Sequence, residues 1–374
     1  MIIKSEVFGM HRFLSLLCLF LFVFSHEART DDLPHRALFV SVIQNPPVLS
    51  DRQGIMNLVD FAGKAHAQIF FVQIYYKGQA WFPSKIADAG PYEQCRKALG
   101  EDPLKLLIQQ AHRHGIQVHA WLNLLSLGSN AQANFIRKYG TDILTRNLNE
   151  KKALEDFKID KQYFLEPGDR RVRDDLAGIV KEVLSAYPDL DGIQFDYIRY
   201  PDMHPHYGYT KVNMDHFKKK YGLQSIEEES AIWKDWKRTQ VTEVLQKLVN
   251  IVHQERPHMR VSTTGCMPYV RAYYEAYQDW GTWLSSGLID FVTIMDYSAD
   301  IKEFERWIVA IKAKTGNLSR VKISVGAYKL VHSPEIFEQE YSRCEKMGAA
   351  CAVFHYGSVL ENPELYKFLT SSDR

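Results

Sequence analysis

The sequence predicts a single (β/α)8 TIM barrel, because eight short apolar strand-like segments alternate with amphipathic helical segments along one chain. Parallel strands need helical crossovers, and those crossovers cover both faces of the sheet. The first predicted strand is not followed by a glycine-rich phosphate-binding loop, which disfavours the main alternative, a doubly wound nucleotide-binding sheet. A barrel of about 250 residues with extended loops also fits the length of 374 residues.

Strand-like segments recur along the whole chain. The eight predicted strands are residues 37–43, 68–75, 116–123, 191–196, 260–266, 291–297, 321–328 and 349–356. Between them, Asp102 followed by Pro103 predicts a helix start, and Gly115 predicts the end of that helix. The aromatic segment 79–100 is predicted to form a lid or a cover, since long loops in compact domains are usually functional.

Charge and composition exclude one class of function and slightly favour another. The formal net charge is +1, so the chain lacks the positive charge with which nucleic-acid-binding proteins neutralise phosphates. We therefore expect no nucleic-acid partner. Aromatic residues make up 13% of the chain, with 20 Tyr and 7 Trp, and rings at a barrel mouth are suited to stacking on sugar faces. Composition thus slightly favours a carbohydrate ligand.

Residues 1–28 have the pattern of a secretory signal peptide. Lys4 and Arg12 precede the apolar run 13–24, which is followed by polar residues. That run is shorter than the roughly 20 residues needed to cross a bilayer, so we expect no stable membrane span. The sequence predicts a secreted, periplasmic or cell-envelope protein with one domain over residues 36–370.

Cysteine and histidine residues do not form a convincing metal-site pattern. The cysteines that follow the signal segment are Cys95, Cys266, Cys344 and Cys351. They lack the close pairs of a zinc site; Cys344 could bridge Cys351, but both read as core positions. His204 and His206, with His119 as a third ligand, leave a metal site as a weak alternative. We predict no metal and no cofactor.

The strand ends of such a barrel define where chemistry takes place. The last inward residue of each parallel strand opens into the mouth at the carboxyl end of the barrel. Glycosidic cleavage needs two carboxyl groups, one that donates a proton and one that acts as nucleophile or base. Asp196 ends the apolar fourth strand and is the first candidate, with Asp296 or Glu166 as the second. The predicted substrate-binding residues are Gln73, Tyr75, Trp121, Asn123, Tyr197, Arg199, Tyr297 and His355.

Four short motifs, taken in order, resemble a known family. They are Trp-Leu-Asn at 121–123, Leu-Glu-Pro-Gly at 165–168, Asp-Gly-Ile-Gln-Phe-Asp-Tyr-Ile-Arg-Tyr-Pro at 191–201 and Met-Asp-Tyr at 295–297. Over residues 36–357 the chain resembles glycosyl-hydrolase-like family 10 and its relatives. The resemblance implies a TIM barrel, secretion and hydrolysis of an envelope or extracellular polysaccharide, with Asp196 as the catalytic acid residue. Tyr197 stands where members often carry a second acid, and Glu166 where they carry Asn or Asp.

The fourth-strand motif is also similar to the signature of family 18 chitinases. Asp191 and Asp196 match that signature, but Gln194 replaces its middle aspartate and Ile198 replaces its catalytic glutamate. Chitinase chemistry by that route is therefore excluded. Asp191, which precedes a glycine, is expected to be a turn residue.

These observations favour a glycoside hydrolase that cleaves O-glycosidic bonds of an oligosaccharide or polysaccharide by carboxylate acid/base catalysis. Two alternatives stay open: a non-catalytic carbohydrate-binding barrel, and a metal-dependent carbohydrate deacetylase that uses the histidines. If Asp296 is the partner of Asp196, we expect a wide carboxyl pair and inversion of configuration. The sequence carries no signal for the sugar, the linkage or the oligomeric state.

Overall fold

A computed structural model of the chain describes Leu33 and residues 35–371, and it contains the predicted closed barrel of eight parallel strands. The predicted signal peptide, residues 1–28, lies outside the described residues. Each barrel strand overlaps a predicted one, and the first, seventh and eighth end three residues earlier than predicted. The barrel strands are β1 (Arg36–Val40), β2 (Ile69–Tyr76), β3 (Gln117–Asn123), β4 (Gly192–Asp196), β5 (Arg260–Gly265), β6 (Phe291–Asp296), β7 (Val321–Val325) and β8 (Ala350–Val353).

Helices follow the strands and surround the barrel, and three short strands lie outside it. The short strands are Gln79–Ala80, Ser126–Gly128 and Tyr163–Phe164. The α-helices of the described region are α1 (Arg52–Lys64), α2 (Gly90–Leu99), α3 (Pro103–Arg113), α4 (Asn134–Tyr139), α5 (Arg170–Ala186), α6 (Lys211–Tyr221), α7 (Ala231–Glu255), α8 (Tyr269–Tyr274), α9 (Trp280–Ser285), α10 (Ile301–Thr315), α11 (Pro334–Lys346), α12 (Tyr356–Glu361) and α13 (Pro363–Leu369).

The barrel closes because β1 pairs with both β2 and β8. Alternation of side chains then divides the apolar residues between two cores. Phe39, Phe71 and Phe291 pack inside the barrel. Residues at alternate positions, such as Val292 and Ile294, pack in the larger core beneath the helices. The inner and outer faces of every strand can therefore be assigned from the residues that they contact.

Asp102 joins a helix start to two buried tyrosines. It caps α3, as predicted, by accepting a hydrogen bond from the backbone N–H of Lys105 at 2.9 Å. Its other carboxylate oxygen accepts hydrogen bonds from the hydroxyls of Tyr92 at 3.0 Å and Tyr187 at 3.1 Å. Tyr92 belongs to segment 79–100, where Phe82 is fully buried. That segment therefore packs as a cover on the barrel.

Two carboxyl groups are buried against each other between the sheet and the helices. Asp296, at the end of β6, and Glu340, in α11, are both inaccessible to solvent. Neither carboxyl group has a side-chain hydrogen-bond partner among the described residues, although the backbone N–H of Ser298 acts to lower the pKa of Asp296. Burial raises the pKa of Asp296 to about 8, and the nearby charge of Glu340 adds to that rise. Burial likewise raises the pKa of Glu340 to about 8. Both groups are thus favoured in the neutral form.

Cys344 and Cys351 form a disulfide that joins α11 to β8, and both are buried core positions. The two cysteines are thus bridged even though they occupy core positions, where the sequence left the bridge open. Cys95 and Cys266 are free and buried. Within the described part of the chain, the helices are too short or too polar to cross a membrane.

Replacing Asp102 by Ala should lower the free energy of unfolding by about 2–4 kcal/mol, because the change removes a helix cap and leaves two buried hydroxyls without an acceptor. Urea unfolding followed by circular dichroism measures this. Asp51→Ala is the matched control, since Asp51 caps only α1 through exposed hydrogen bonds to Gln53 and Gly54. Its loss should cost about 1 kcal/mol. Equal costs for the two variants would contradict the bridging role of Asp102.

Replacing Asp296 by Asn should raise the free energy of unfolding at pH 8 by about 1–3 kcal/mol, because an uncharged amide avoids ionising a buried carboxyl group. A carboxyl group whose pKa is raised in the folded state stabilises the fold below its unfolded pKa, and that stabilisation is lost as the pH rises from about 4 toward 8. The advantage of the variant should therefore grow over this range. Urea unfolding at pH 5 and pH 8 tests it.

Asp300→Asn is the control with the opposite sign. Asp300 is exposed and caps α10, and the backbone N–H groups of Glu303 and Lys302 lower its pKa. Its stabilising effect is therefore present above its unfolded pKa and is lost as the pH falls. An Asp296→Asn variant with the same stability as the wild type at both pH values would show that the buried carboxyl group carries no charge penalty.

Candidate active site

Asp196 is the last residue of β4 and lies buried at the barrel mouth, with 5% of its surface exposed. Its Oδ2 accepts hydrogen bonds from Trp121 Nε1 at 3.0 Å and Asn123 Nδ2 at 2.9 Å. Its Oδ1 accepts hydrogen bonds from the Thr264 hydroxyl and, at 2.7 Å, from the backbone N–H of Tyr197. Each oxygen thus has two donors. This arrangement suits an ionised carboxylate, which only accepts hydrogen bonds.

The turn after β4 directs a backbone donor at Asp196. Tyr197 has a φ of 54°, in the left-handed region that bulky residues rarely adopt. In this conformation its N–H points back to the preceding carboxylate, while its carbonyl accepts a hydrogen bond from Leu125 N–H at 3.3 Å. Backbone in sparsely populated regions persists only where its surroundings over-determine it, and it clusters at functional sites.

A chain of hydrogen bonds leads from the end of β1 to Asp196. Gln73 Oε1 accepts hydrogen bonds from the Ser41 hydroxyl at 2.8 Å and from the backbone N–H of Val42 at 3.2 Å. Gln73 Nε2 donates to Asn123 Oδ1 at 2.8 Å, and Asn123 donates to Asp196. Gln73 and Asn123 were predicted to bind substrate. In the structure their amides are buried and hydrogen-bonded to protein groups.

A second carboxyl group reaches the mouth from the loop after β4. Asp202 is half-buried, and its Oδ1 lies 3.4 Å from Arg271 Nε in an ion pair. Arg199 is almost fully buried, and its guanidinium stacks on the Tyr197 ring at 4.5 Å from the ring centroid. Its Nε has no hydrogen-bond partner among the described residues. Burial acts to lower the pKa of Arg199, but neighbouring acidic groups, including Asp202 and Asp196, raise it overall. Arg199 is therefore close to both carboxylates.

Aromatic rings border the same site. Tyr297 packs against Phe354 at 5.2 Å and against Tyr328 at 5.4 Å between ring centroids. Phe354 also contacts Trp121 edge-on at 5.8 Å, and Tyr328 is largely exposed. Burial raises the pKa of Tyr297, and the charge of Asp196 adds to that rise. The structure therefore places Tyr297 and Trp121 at the mouth, where they were predicted.

Glu166 lies beneath the loop that follows β4 and not beside Asp196. Its Oε1 accepts hydrogen bonds from the Tyr200 hydroxyl and, at 3.2 Å, from the backbone N–H of Gly168. Glu166 is inaccessible to solvent, and burial raises its pKa. The structure does not bring it together with Asp196, in contrast to the prediction that made it a candidate for the second catalytic carboxyl group.

Asp296 and Tyr75 face the helices, in contrast to their predicted positions at the mouth. Asp296 pairs with Val325 in the β6–β7 register, and it interacts with Glu340 of α11. Tyr75 is fully buried in the outer core because the β2–β3 register shifts between Gln73 and Tyr75, which reverses the side on which Tyr75 lies. Neither side chain is placed to contact a substrate, so the predicted wide pair with Asp296 loses its basis.

The histidines that were considered as metal ligands or substrate-binding residues lie in different parts of the structure. His355, predicted to bind substrate, is half-buried at the start of α12, where its Nε2 lies 3.4 Å from the Ser358 hydroxyl and burial lowers its pKa. His204 contacts Asp160 and His206 contacts Glu228. Among the described residues there is no group of three His, Cys, Asp or Glu side chains that could hold a metal ion.

His119 lies inside the barrel against Phe71 and Phe291, away from His204 and His206. Burial lowers its pKa to about 3. Asp191, at the opposite end of β4 from Asp196, accepts a hydrogen bond from the backbone N–H of Val118 and contacts His112 Nε2. Asp191 is thus a structural residue directly ahead of the strand, and the structure has the turn at residues 188 and 189.

Three residues of the site were not among the predicted ones. Thr264 is at the end of β5, and alternation from Ser262, which contacts inward-facing Gln194, signals that it points into the mouth. Ser41 follows β1 directly and could have been found by the same rule. Asp202 lies in a loop without periodicity, so its sequence position carries no comparable signal.

Curated proteins with related sequences support the family resemblance. The chain is 24% identical to glycosyl hydrolase DigH of Escherichia coli (strain K12) over 347 residues, which cover 82% of this chain and 76% of the relative. It is 22% identical to glycosyl hydrolase YngK of Bacillus subtilis (strain 168) over 278 residues, which cover 67% of this chain and 50% of that protein.

Solved structures with the same architecture share little sequence. The α-L-fucosidase isoenzyme 2 from Paenibacillus thiaminolyticus matches with a TM-score of 0.61 at 14% identity, over 90% of this chain and 48% of that chain. The β-galactosidase from the psychrophilic Marinomonas ef1 matches with a TM-score of 0.62 at 9% identity, over 90% and 58%. These matches show the TIM-barrel fold. The sequence model of the family described as "Glycosyl hydrolase-like 10" matches residues 40–343, and the chain therefore belongs to this family.

Proposed function

We propose that the protein is a secreted glycoside hydrolase that cleaves O-glycosidic bonds of an extracellular or cell-envelope polysaccharide. One observation carries the proposal: the Asp196 carboxylate is held by four donors at the mouth of a TIM barrel, beside aromatic rings. Family membership, and relatives named as glycosyl hydrolases, support the reaction class. Export stays a prediction from residues 1–28.

The hydrogen bonds of Asp196 favour a role as a fixed negative charge. Glycoside hydrolysis passes through an oxocarbenium-like transition state, and a carboxylate close to the anomeric carbon acts as nucleophile or stabilises the positive charge. A carboxylate whose two oxygens each accept two hydrogen bonds is poorly arranged to donate a proton. We therefore assign the charge-stabilising or nucleophilic role to Asp196 and proton transfer to another group.

Asp202 is the group that we assign to proton transfer. Its Oδ1 is buried without a hydrogen-bond partner among the described residues. Asp202 lies six residues after Asp196, in the loop that leaves β4 at the carboxyl end of the barrel. The ion pair with Arg271 orients Asp202. A carboxyl group so placed can exchange a proton with the glycosidic oxygen or with water.

Substrate contacts follow from the same geometry. The Tyr297 and Tyr328 rings offer apolar faces to the C–H face of a sugar, and the Arg199 guanidinium beside the Tyr197 ring carries N–H donors for its hydroxyl oxygens. A non-catalytic carbohydrate-binding barrel is the second candidate. It is favoured by the observation that protein donors already occupy both oxygens of Asp196.

Replacing Asp196 by Asn should lower glycan cleavage by about 10²- to 10⁴-fold, the usual contribution of a positioned catalytic group. The assay incubates the protein with a panel of bacterial and plant polysaccharides and measures new reducing ends by mass spectrometry. Asp191→Asn, at the other end of the same strand, is the matched control and should retain activity. Full activity in the Asp196→Asn variant would remove Asp196 from the mechanism. Binding without cleavage by the wild type on every polysaccharide would favour the carbohydrate-binding barrel.

Replacing Asp202 by Asn should lower kcat by about 10²-fold or more and abolish one limb of the pH–rate profile, because proton transfer is lost while the site keeps its shape. Asp160→Asn is the control, since Asp160 is exposed and its side chain pairs with His204. An unchanged pH–rate profile in the Asp202→Asn variant would assign proton transfer elsewhere.

A further inference from the structure

We propose that Gln73 is a positioning residue, which orients the Asn123 amide and thereby holds the Asp196 carboxylate in its working geometry. The inference rests on the proposed function, because it concerns the carboxylate to which that function assigns catalysis. Gln73 does not contact Asp196, and it acts through Asn123.

The orientation of Gln73 is fixed by a group that can only donate. The backbone N–H of Val42 lies 3.2 Å from one terminal atom of the Gln73 amide, and the Ser41 hydroxyl lies 2.8 Å from the same atom. An N–H has no acceptor capacity, so this atom must be the amide oxygen. The amide nitrogen of Gln73 must therefore point the other way, toward Asn123.

The orientation of the Gln73 amide fixes the orientation of the Asn123 amide. Gln73 Nε2 can only donate, so the Asn123 atom that it meets at 2.8 Å must be the oxygen Oδ1. The Asn123 nitrogen is then directed at Asp196 Oδ2, at 2.9 Å. Gln73 and Asn123 are only 2% and 3% exposed, so water does not readily replace either partner. The orientation of the two amides is thus set by the backbone just after β1 and ends at the carboxylate of β4.

Reversing the Asn123 amide would place an oxygen against Asp196. Two oxygens would then face each other at the distance of a hydrogen bond, and Oδ2 would keep only Trp121 as a donor. A buried carboxylate that loses a donor and gains a negative neighbour is less favoured in the ionised form. We therefore expect the rate of the chemical step to fall and the affinity for substrate to stay the same, because the substrate does not need to contact Gln73.

The test is Gln73→Glu, which replaces the donor nitrogen by an acceptor oxygen at nearly constant volume. We expect kcat to fall about 10- to 100-fold, as for the loss of one preorganised donor, with KM changed by less than about 3-fold. We also expect the acid limb of the pH–rate profile to move to higher pH. The assay uses whichever polysaccharide of the panel the wild type cleaves. Gln240→Glu is the matched control, since Gln240 is a buried glutamine of α7 whose Oε1 accepts a hydrogen bond from Arg173.

Gln73→Met is the second variant, and it tests the proposal if the glutamate variant does not fold. It removes the donor without adding a charge, so Asn123 loses its fixed direction, and kcat should lie between that of the wild type and that of Gln73→Glu. Equal losses in both variants with an unchanged pH–rate profile would mean that Gln73 only supports the fold, and the proposal would be overturned.

A readout that needs no substrate separates this proposal from the proposed function. In protein labelled with ¹⁵N-asparagine, the side-chain NH₂ signal of Asn123, identified by its loss in Asn123→Asp, should shift in both Asp196→Asn and Gln73→Glu. A signal unchanged by Gln73→Glu would overturn the positioning role even in a protein that cleaves no polysaccharide. Conversely, a shifted signal together with full activity of Asp196→Asn would leave the relay intact and remove Asp196 from the mechanism, and a shifted signal in a protein that cleaves no polysaccharide would leave the relay intact and reject the proposed function.

Discussion

The burial of one charge, the carboxylate of Asp196, is the constraint on which the rest of the site depends. An ionised carboxylate loses its hydration when it is buried, and this cost is met only if protein donors replace the water. Asp196 obtains such donors from β3, from β5 and from its own turn. The register that pairs Asn123 with Asp196 sets two of these strands side by side. The site is thus a product of barrel closure, since it cannot form on an isolated strand.

The loop after β4 is held from below by a separate buried network, and this is where Glu166 acts. Glu166 binds the Tyr200 hydroxyl, and Asn213 binds the carbonyl of Gly208 at 2.8 Å. Lys237 donates to the carbonyl of Pro205 at 2.6 Å, and burial lowers the pKa of this lysine to about 7. Buried hydrogen bonds of this kind hold together the segments that they join, although Glu166 Oε2 has no hydrogen-bond partner among the described residues. Asp202 and Arg199 belong to the same loop, so their positions depend on this network.

The sequence sufficed for the barrel because each strand is a short apolar run whose partners follow in chain order. It also sufficed for Asp196, Trp121 and Asn123, which lie at inward positions of strand ends. The position of Asp296 was predicted incorrectly, although the alternation of strand side chains gives the right answer. Thr293 faces inward to Gln194, and Asp296, three residues further along the strand, must therefore face outward. Tyr75 was misplaced for a different reason, because a register shift in the middle of a strand leaves no mark on the pattern of apolar residues.

The distribution of hydrogen bonds also explains why a second carboxyl group should come from a loop and not from a strand end. Strand-end residues are locked by neighbouring strands, which suits a group whose charge must stay fixed, as for Asp196. A group that exchanges a proton must be free to accept and donate in turn, and it needs at least one oxygen that the protein does not occupy. Asp202 Oδ1 has no hydrogen-bond partner among the described residues, and its ion pair with Arg271 Nε at 3.4 Å orients the side chain without a hydrogen bond to that oxygen. Asp196 is therefore held by more hydrogen bonds than Asp202. This difference suits a fixed charge in the first case and proton exchange in the second.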